Sequence, residues 1–80
     1  MSKFEKLLQR IKKLNNGLRF SELKKILESF GYTMNVPRNG SSHFTFRKPG
    51  RIPITIPKHE PIKAVYVRMV KDAVEEAENK

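Results

Sequence analysis

The chain has 80 residues, of which 38% are hydrophobic and 31% charged, and it contains no cysteine. This composition predicts one small domain over residues 1–80, with a thin core and its function on the surface, and it excludes disulfides and thiolate metal sites. Seventeen Lys and Arg residues against eight Asp and Glu residues give a formal net charge of +9, which favours an anionic partner.

Basic side chains dominate most of the chain. Residues 1–71 carry sixteen basic and four acidic side chains, a net charge of +12. Such a surface attracts phosphate chains by counterion release, so nucleic acid is the favoured partner; a solubility charge without a partner is the alternative. The apolar runs are short and the N-terminal pattern is amphipathic, so we expect no membrane span, no signal peptide and a cytoplasmic location.

Two amphipathic helices are predicted in the N-terminal part of the chain. The first lies at about 3–14, with an apolar stripe formed by Phe4, Leu7, Leu8, Ile11 and Leu14. The second follows Ser21, a good N-cap, and ends at Gly31, which can adopt the left-handed cap conformation. Its buried residues should be Leu23, Ile26, Leu27 and Phe30.

Three strands are predicted next, and the central one lies between Gly40 and Gly50. Phe44 and Phe46 share one face and should pack against the core. Because successive side chains of a strand point to opposite sides, the other face carries Ser41, His43, Thr45 and Arg47. The first strand should bury Tyr32, Met34 and Val36, and the third Ile52, Ile54 and Ile56.

The third strand is expected at the edge of the sheet, since Pro53 and Pro57 cannot donate to a ladder. A last helix should begin at Pro61. Its apolar stripe is Ile62, Val65, Tyr66, Met69, Val70, Ala73 and Ala77. The order α-α-β-β-β-α predicts an α+β fold, a three-stranded antiparallel sheet with the helices packed on one face, and His43 on the open face.

His43 is the main functional candidate. An imidazole has a reference pKa near ~6.5 and can give or take a proton at cellular pH. RNA carries its own nucleophile, the 2′-hydroxyl, so cleaving it requires proton transfer, in-line geometry and positive charge, and neither a metal nor another cofactor. Thr45, about 6.7 Å along the strand, could help at the same phosphate, and Arg47, about 13 Å away, could hold the next one.

More positive charge is expected around the same end of the sheet. It comes from Lys48, Arg51, Lys58 and Lys63. The start of the last helix, near Pro61 and Ile62, should offer backbone N–H groups and a positive dipole end to a phosphate. His59 is interpreted as a polar loop residue, because its separation from His43 and the presence of only Glu60 nearby disfavour a metal site.

Two other readings stay open on the residues alone. An isolated histidine on a strand is more often an ordinary surface residue than a catalyst, so the chain could be a non-catalytic RNA-binding module. It could also be an interaction protein whose basic face docks an acidic partner. The aromatic residues fit a core better than base-stacking positions; they are Tyr32, Phe44, Phe46 and Tyr66.

Three segments resemble the HicA toxins of bacterial and archaeal toxin–antitoxin systems. They are Ser41-Ser-His-Phe-Thr-Phe-Arg-Lys-Pro-Gly50, Ile54-Thr-Ile-Pro-Lys-His59 and Ile62-Lys-Ala-Val-Tyr-Val-Arg68, and the similarity spans about Leu18 to Val74. The hallmark of that family is a Gly-Ser-His segment on the middle strand, followed by an aromatic residue and a basic stretch ending at proline. The matching residues are Ser42, His43, Phe46, Arg47 and Pro49, while Ser41 stands where the family usually has glycine.

The resemblance implies an mRNA interferase with a fold similar to a double-stranded-RNA-binding domain. It also implies that His43 is catalytic and that a HicB-type antitoxin covers its face. The RNA-binding residues expected together with it are Ser42, Thr45, Arg47, Lys48, Arg51, Lys58 and Lys63. The helix at about 3–14 lies outside the resemblance, so its role is not predicted.

Overall fold

A computed structural model describes residues 2–14, 17–37, 40 and 42–79. Over these residues the elements are α1 (Lys3–Lys12), α2 (Phe20–Ser29), β1 (Thr33–Asn35), β2 (His43–Arg47), β3 (Ile54–Pro57) and α3 (Ala64–Glu78). The predicted α+β class and element order are confirmed, with an antiparallel sheet of order β1-β2-β3. No helix in the described part of the chain has the length and apolar composition needed to cross a bilayer.

The sheet has one apolar and one polar face, as the alternation in β2 predicts. Phe46 lies opposite Met34 of β1 and Ile54 of β3, and Phe44 lies opposite Ile56. Residues opposite one another in an antiparallel pair project to the same side, so these five form one apolar face. Phe20 of α2 packs on that face, its ring centroid 5.0 Å from that of Phe44 and 6.0 Å from that of Phe46.

Helix α1 is part of the common core. Leu7 and Ile11 are buried in the same cluster as residues of α2, β2, β3 and α3. Its start is a capping box, in which Ser2 Oγ accepts a hydrogen bond from the Glu5 backbone N–H at 3.1 Å and the Glu5 carboxylate accepts one from Ser2 N–H. The helix therefore carries both a local start signal and long-range packing.

Helix α2 starts earlier than predicted. Arg19, not Ser21, is the N-cap, because Phe20 is buried as a helical residue. Two carboxylates replace the expected hydroxyl: Glu22 accepts from Arg19 N–H at 2.8 Å, and Glu60 accepts from Phe20 N–H at 3.1 Å. The N-cap prediction at Ser21 was wrong because Glu22, within the first turn, and Glu60, distant in the sequence, bind the N–H groups of Arg19 and Phe20 instead.

The predicted end of α2 at Gly31 is confirmed. Gly31 has φ +96° and donates its N–H to the Glu28 carbonyl, while Tyr32 N–H donates to the Leu27 carbonyl. This pair of bonds is a Schellman motif, which requires the left-handed conformation that glycine adopts without strain. It turns the chain directly from α2 into β1.

The first and third strands are shorter than predicted. Val36 and Ile52, expected in the core, are 74% and 86% exposed, because β1 ends at Asn35 and β3 begins at Ile54. The edge position of β3 is confirmed.

The apolar stripe of α3 also differs from the prediction. The helix begins at Ala64 rather than Pro61, and its buried residues are Val67, Val70 and Val74. Val65, which belonged to the predicted stripe, is 57% exposed. Ile62 is buried but precedes the helix, and its N–H donates to the Leu18 carbonyl. Counting Ile62 as helical shifted the predicted face.

Candidate active site at one end of the open sheet face

His43 begins β2 and is exposed on the face that the helices leave open. The residues that share this face are Thr33, Asn35, His43, Thr45, Arg47, Thr55 and Pro57. Thr45 and Thr55, which are cross-strand partners, have their hydroxyl oxygens 3.1 Å apart. None of the strand residues is acidic, so the open face carries no carboxylate of its own.

A cavity of about 330 Å³ lies at the His43 end of this face. Its lining residues are His43, Pro57, His59, Pro61, Lys63 and Tyr66. The cavity is assembled by the sheet register, because Pro57 is the cross-strand partner of His43 and the chain then leads through His59 to α3. The structure thus joins His43 and Lys63, as predicted.

Two further residues at the cavity were not assigned to the site from the sequence. His59 was interpreted as a polar loop residue and Tyr66 as a core residue. His59 Nε2 lies 3.3 Å from Ser42 Oγ, within hydrogen-bond distance of the residue that precedes His43. The signal that could have revealed His59 is its position two residues after Pro57, but this signal needs the strand register, which the sequence alone does not give.

The loop that carries His59 is fixed at several points. Lys58 N–H donates to the Ser42 carbonyl at 2.7 Å, and Ile62 N–H donates to the Leu18 carbonyl at 3.3 Å. Between them, the Glu60 carboxylate accepts from the N-terminal N–H of α2. These bonds hold both neighbours of His59 and leave its imidazole at the cavity.

The predicted basic residues do not all gather at the His43 end, and this expectation requires correction. Arg47 ends β2, about 13 Å from His43 along the strand, and Lys48 and Arg51 follow it at that far end. The Lys48 ammonium lies 5.7 Å from the centroid of the Tyr32 ring, and Arg51 forms an ion pair with Glu76 of α3.

Lys58 is at the correct end of the sheet, but its charge is directed to the helical side. Its ammonium lies 5.9 Å from the ring centroids of both Phe20 and Phe44, which belong to the apolar layer. Cations favour such positions over aromatic faces. Among the four lysines and arginines expected around His43, Lys63 therefore lies at the cavity, and the RNA-binding role of all of them stays a prediction.

The positive end of α3 also lies beside the cavity. Lys63 is its N-cap, and the helix has neither a side-chain cap nor an acidic residue in its first turn. The sequence predicted this helix start, and with it a phosphate site, near Pro61 and Ile62; the helix starts at Ala64 instead. An anion near such a terminus is stabilised by the helix dipole and by N–H groups without helical acceptors.

No set of three or more His, Cys, Asp or Glu side chains in the described ranges is arranged to hold a metal ion.

One comparison with known proteins identifies a family. A model of the HicA toxin of bacterial toxin–antitoxin systems matches residues 20–77. The match begins at the first residue of α2, includes the whole sheet and the His59 loop, and leaves α1 outside. Neither a curated protein nor a solved structure matches the chain.

Proposed function

The chain belongs to the HicA toxin family of toxin–antitoxin systems, whose members are generally ribonucleases, and we propose that it is a metal-independent endoribonuclease that cleaves mRNA with His43 as the proton-transfer residue. The observation that carries the proposal is the position of His43, exposed on an open face without carboxylates and beside a cavity that also receives Lys63. The residues of this site all lie within the part of the chain that matches the family.

The chemistry requires little from the protein. The ribose 2′-hydroxyl attacks the adjacent phosphorus, the bond to the 5′-oxygen breaks, and a 2′,3′-cyclic phosphate and a 5′-hydroxyl are formed. An imidazole at the reacting phosphate transfers one of the two protons involved. The Lys63 ammonium and the N-terminus of α3 supply positive charge where the phosphoryl oxygens become more negative.

On the rest of the open face, side chains of β2 contact the RNA backbone. Thr45 follows His43 on the same side of β2, and Arg47 follows Thr45. With side chains about 6.7 Å apart on one face, Thr45 contacts the reacting nucleotide and Arg47 a neighbouring phosphate. Ser42 belongs to the same site through its contact with His59.

The proposal extends to a partner and a location. A HicB-type antitoxin neutralises the toxin in the cytoplasm by covering the His43 face, which blocks access of RNA to the cavity. An antitoxin surface with acidic residues complements a face that lacks carboxylates.

The test measures cleavage of single-stranded RNA in EDTA by the purified protein and by His43→Ala. We expect cleavage by the wild type and a loss of roughly 10²- to 10⁴-fold in kcat for the variant, the usual contribution of a general acid or base. Cleavage by the variant at the wild-type rate, or none by the wild type, contradicts the proposal. RNA binding without any cleavage supports the binding-module alternative.

A further inference from the structure

We propose that His59 is a second catalytic residue, which works with His43 as an acid–base pair on one scissile phosphate. This inference rests on the proposed ribonuclease function and deepens it. It starts from a juxtaposition: two imidazoles that are sixteen residues apart in the sequence line the same cavity.

The fold brings the two histidines to the same end of the sheet. His43 and Pro57 are cross-strand partners, so their Cα atoms are about 4.5–5.5 Å apart, and His59 follows Pro57 by two residues. Ser42 Oγ lies 3.3 Å from His59 Nε2, which places the second imidazole against the residue next to His43 in the chain. A volume of about 330 Å³ between these groups is at the small end of known ligand sites and suits a phosphate with part of its ribose.

The residues on both sides of His59 make structural contacts. The Lys58 ammonium lies over the rings of Phe20 and Phe44, and the Glu60 carboxylate binds the N-terminus of α2. The charges on both sides of His59 are thus used for packing and capping, while the imidazole stays exposed at the cavity. Both neighbours of His59 are therefore held in place, so its imidazole is presented to the cavity from a fixed backbone.

The cleavage reaction transfers two protons. One imidazole takes the proton from the 2′-hydroxyl as O2′ bonds to phosphorus. The other, in its protonated form, gives a proton to the departing 5′-oxygen as the P–O5′ bond breaks. A single histidine would have to leave one of these transfers to water, whereas a pair on opposite sides of one phosphate serves both. Lys63 and the Tyr66 hydroxyl, the other polar groups lining the cavity, can bind the non-bridging oxygens.

The variants His59→Ala and His59→Asn separate proton transfer from positioning. Asparagine can keep a hydrogen bond to Ser42 but cannot transfer a proton, so both variants should lose roughly 10²- to 10⁴-fold in kcat with little change in KM. Thermal unfolding at the wild-type temperature shows that each variant is folded. Wild-type activity of His59→Asn overturns the inference.

A modified substrate assigns the two roles. In an RNA whose bridging 5′-oxygen at the cleaved bond is replaced by sulfur, the leaving thiolate needs no proton. We expect this substrate to restore the activity of one single variant, His43→Ala or His59→Ala, to within about tenfold of the wild type, and not that of the other. Rescue of both variants or of neither overturns the acid–base pair. An inactive His43→Ala beside a fully active His59→Asn removes only the acid–base pair and leaves the proposed function in place. A fully active His43→Ala removes the proposed role of His43, and a wild type that does not cleave RNA removes the ribonuclease function itself.

Discussion

Two arginines of equal charge differ in what their side chains contact. Arg47 is exposed on the open face, whereas Arg51 is paired with Glu76 of α3. We expect Arg47→Ala to weaken RNA binding and to reduce the slope of log affinity against log salt by about 1, because one phosphate contact is lost. Arg51→Ala removes the same charge and should change the slope less, because its guanidinium is already paired with Glu76. RNA titrations at several salt concentrations measure the slope for each variant, in a His43→Ala background that prevents cleavage. Equal slopes for the two variants would refute the assignment of Arg47 as a phosphate contact.

Tyr32 provides a pH-dependent stability contribution. Burial raises the pKa of its hydroxyl above the ordinary value of 10.0, the Glu76 carboxylate raises that pKa further, and Arg51 lowers it in part. The folded state therefore prefers the neutral phenol, so this contribution is complete below pH 10.0 and is lost as the pH rises through the folded-state value. Urea unfolding at several alkaline pH values should show a fall in the free energy of unfolding that is reduced in Tyr32→Phe. Identical curves for Tyr32→Phe and the wild type would count against this cause.

At the scale of elements, α1 is structural although it lies outside the family match. Ile11 is fully buried, while Lys12 on the same helix is exposed and paired with Glu78. Ile11→Ala should lower the free energy of unfolding by about 2–5 kcal/mol, from lost burial and the cavity left behind. Lys12→Ala should cost no more than about 1 kcal/mol, because an exposed ion pair contributes little. Urea denaturation measures the free energy of unfolding of both variants. Small and equal losses for Ile11→Ala and Lys12→Ala would mean that α1 does not pack against the core in solution.

The same elements show what the sequence could predict. The alternation around Phe44 and Phe46 is local, so the strand and its buried face followed from the pattern, as did the cap at Gly31. The first residues of α2 and α3 could not be predicted from the pattern. They depend on bonds that Glu60 and Ile62 form with distant parts of the chain. His43 could be selected from its place in the pattern, whereas its proximity to His59 arises from strand register and could not.

In the molecule as a whole, the carboxylates of α3 that form ion pairs lie away from the open face of the sheet. The acidic residues of α3 that form ion pairs do so with Arg51, Lys12 and Lys71, all outside the strands. Placing one carboxylate on the open face, Thr55→Glu, should weaken RNA binding about threefold to sixfold, as expected for a unit charge about 4–6 Å from a phosphate in exposed surroundings. Gln9→Glu on α1 makes the same charge change on a helix and should have a smaller effect. Fluorescence anisotropy with labelled RNA measures the affinity of both variants. An equal loss of affinity in Thr55→Glu and Gln9→Glu would argue against the sheet face as the RNA site.

In the proposed reaction the RNA supplies the nucleophile and the open sheet face supplies the proton transfer. The most direct measurement is the chemistry of the product ends when the purified protein cleaves a defined RNA in EDTA, beside the same RNA with a single 2′-deoxynucleotide at the cleaved position. We predict 2′,3′-cyclic phosphate and 5′-hydroxyl ends from the first RNA and no cleavage at that position in the second. Products with 5′-phosphate ends, or equal cleavage of the 2′-deoxy RNA, would contradict the account.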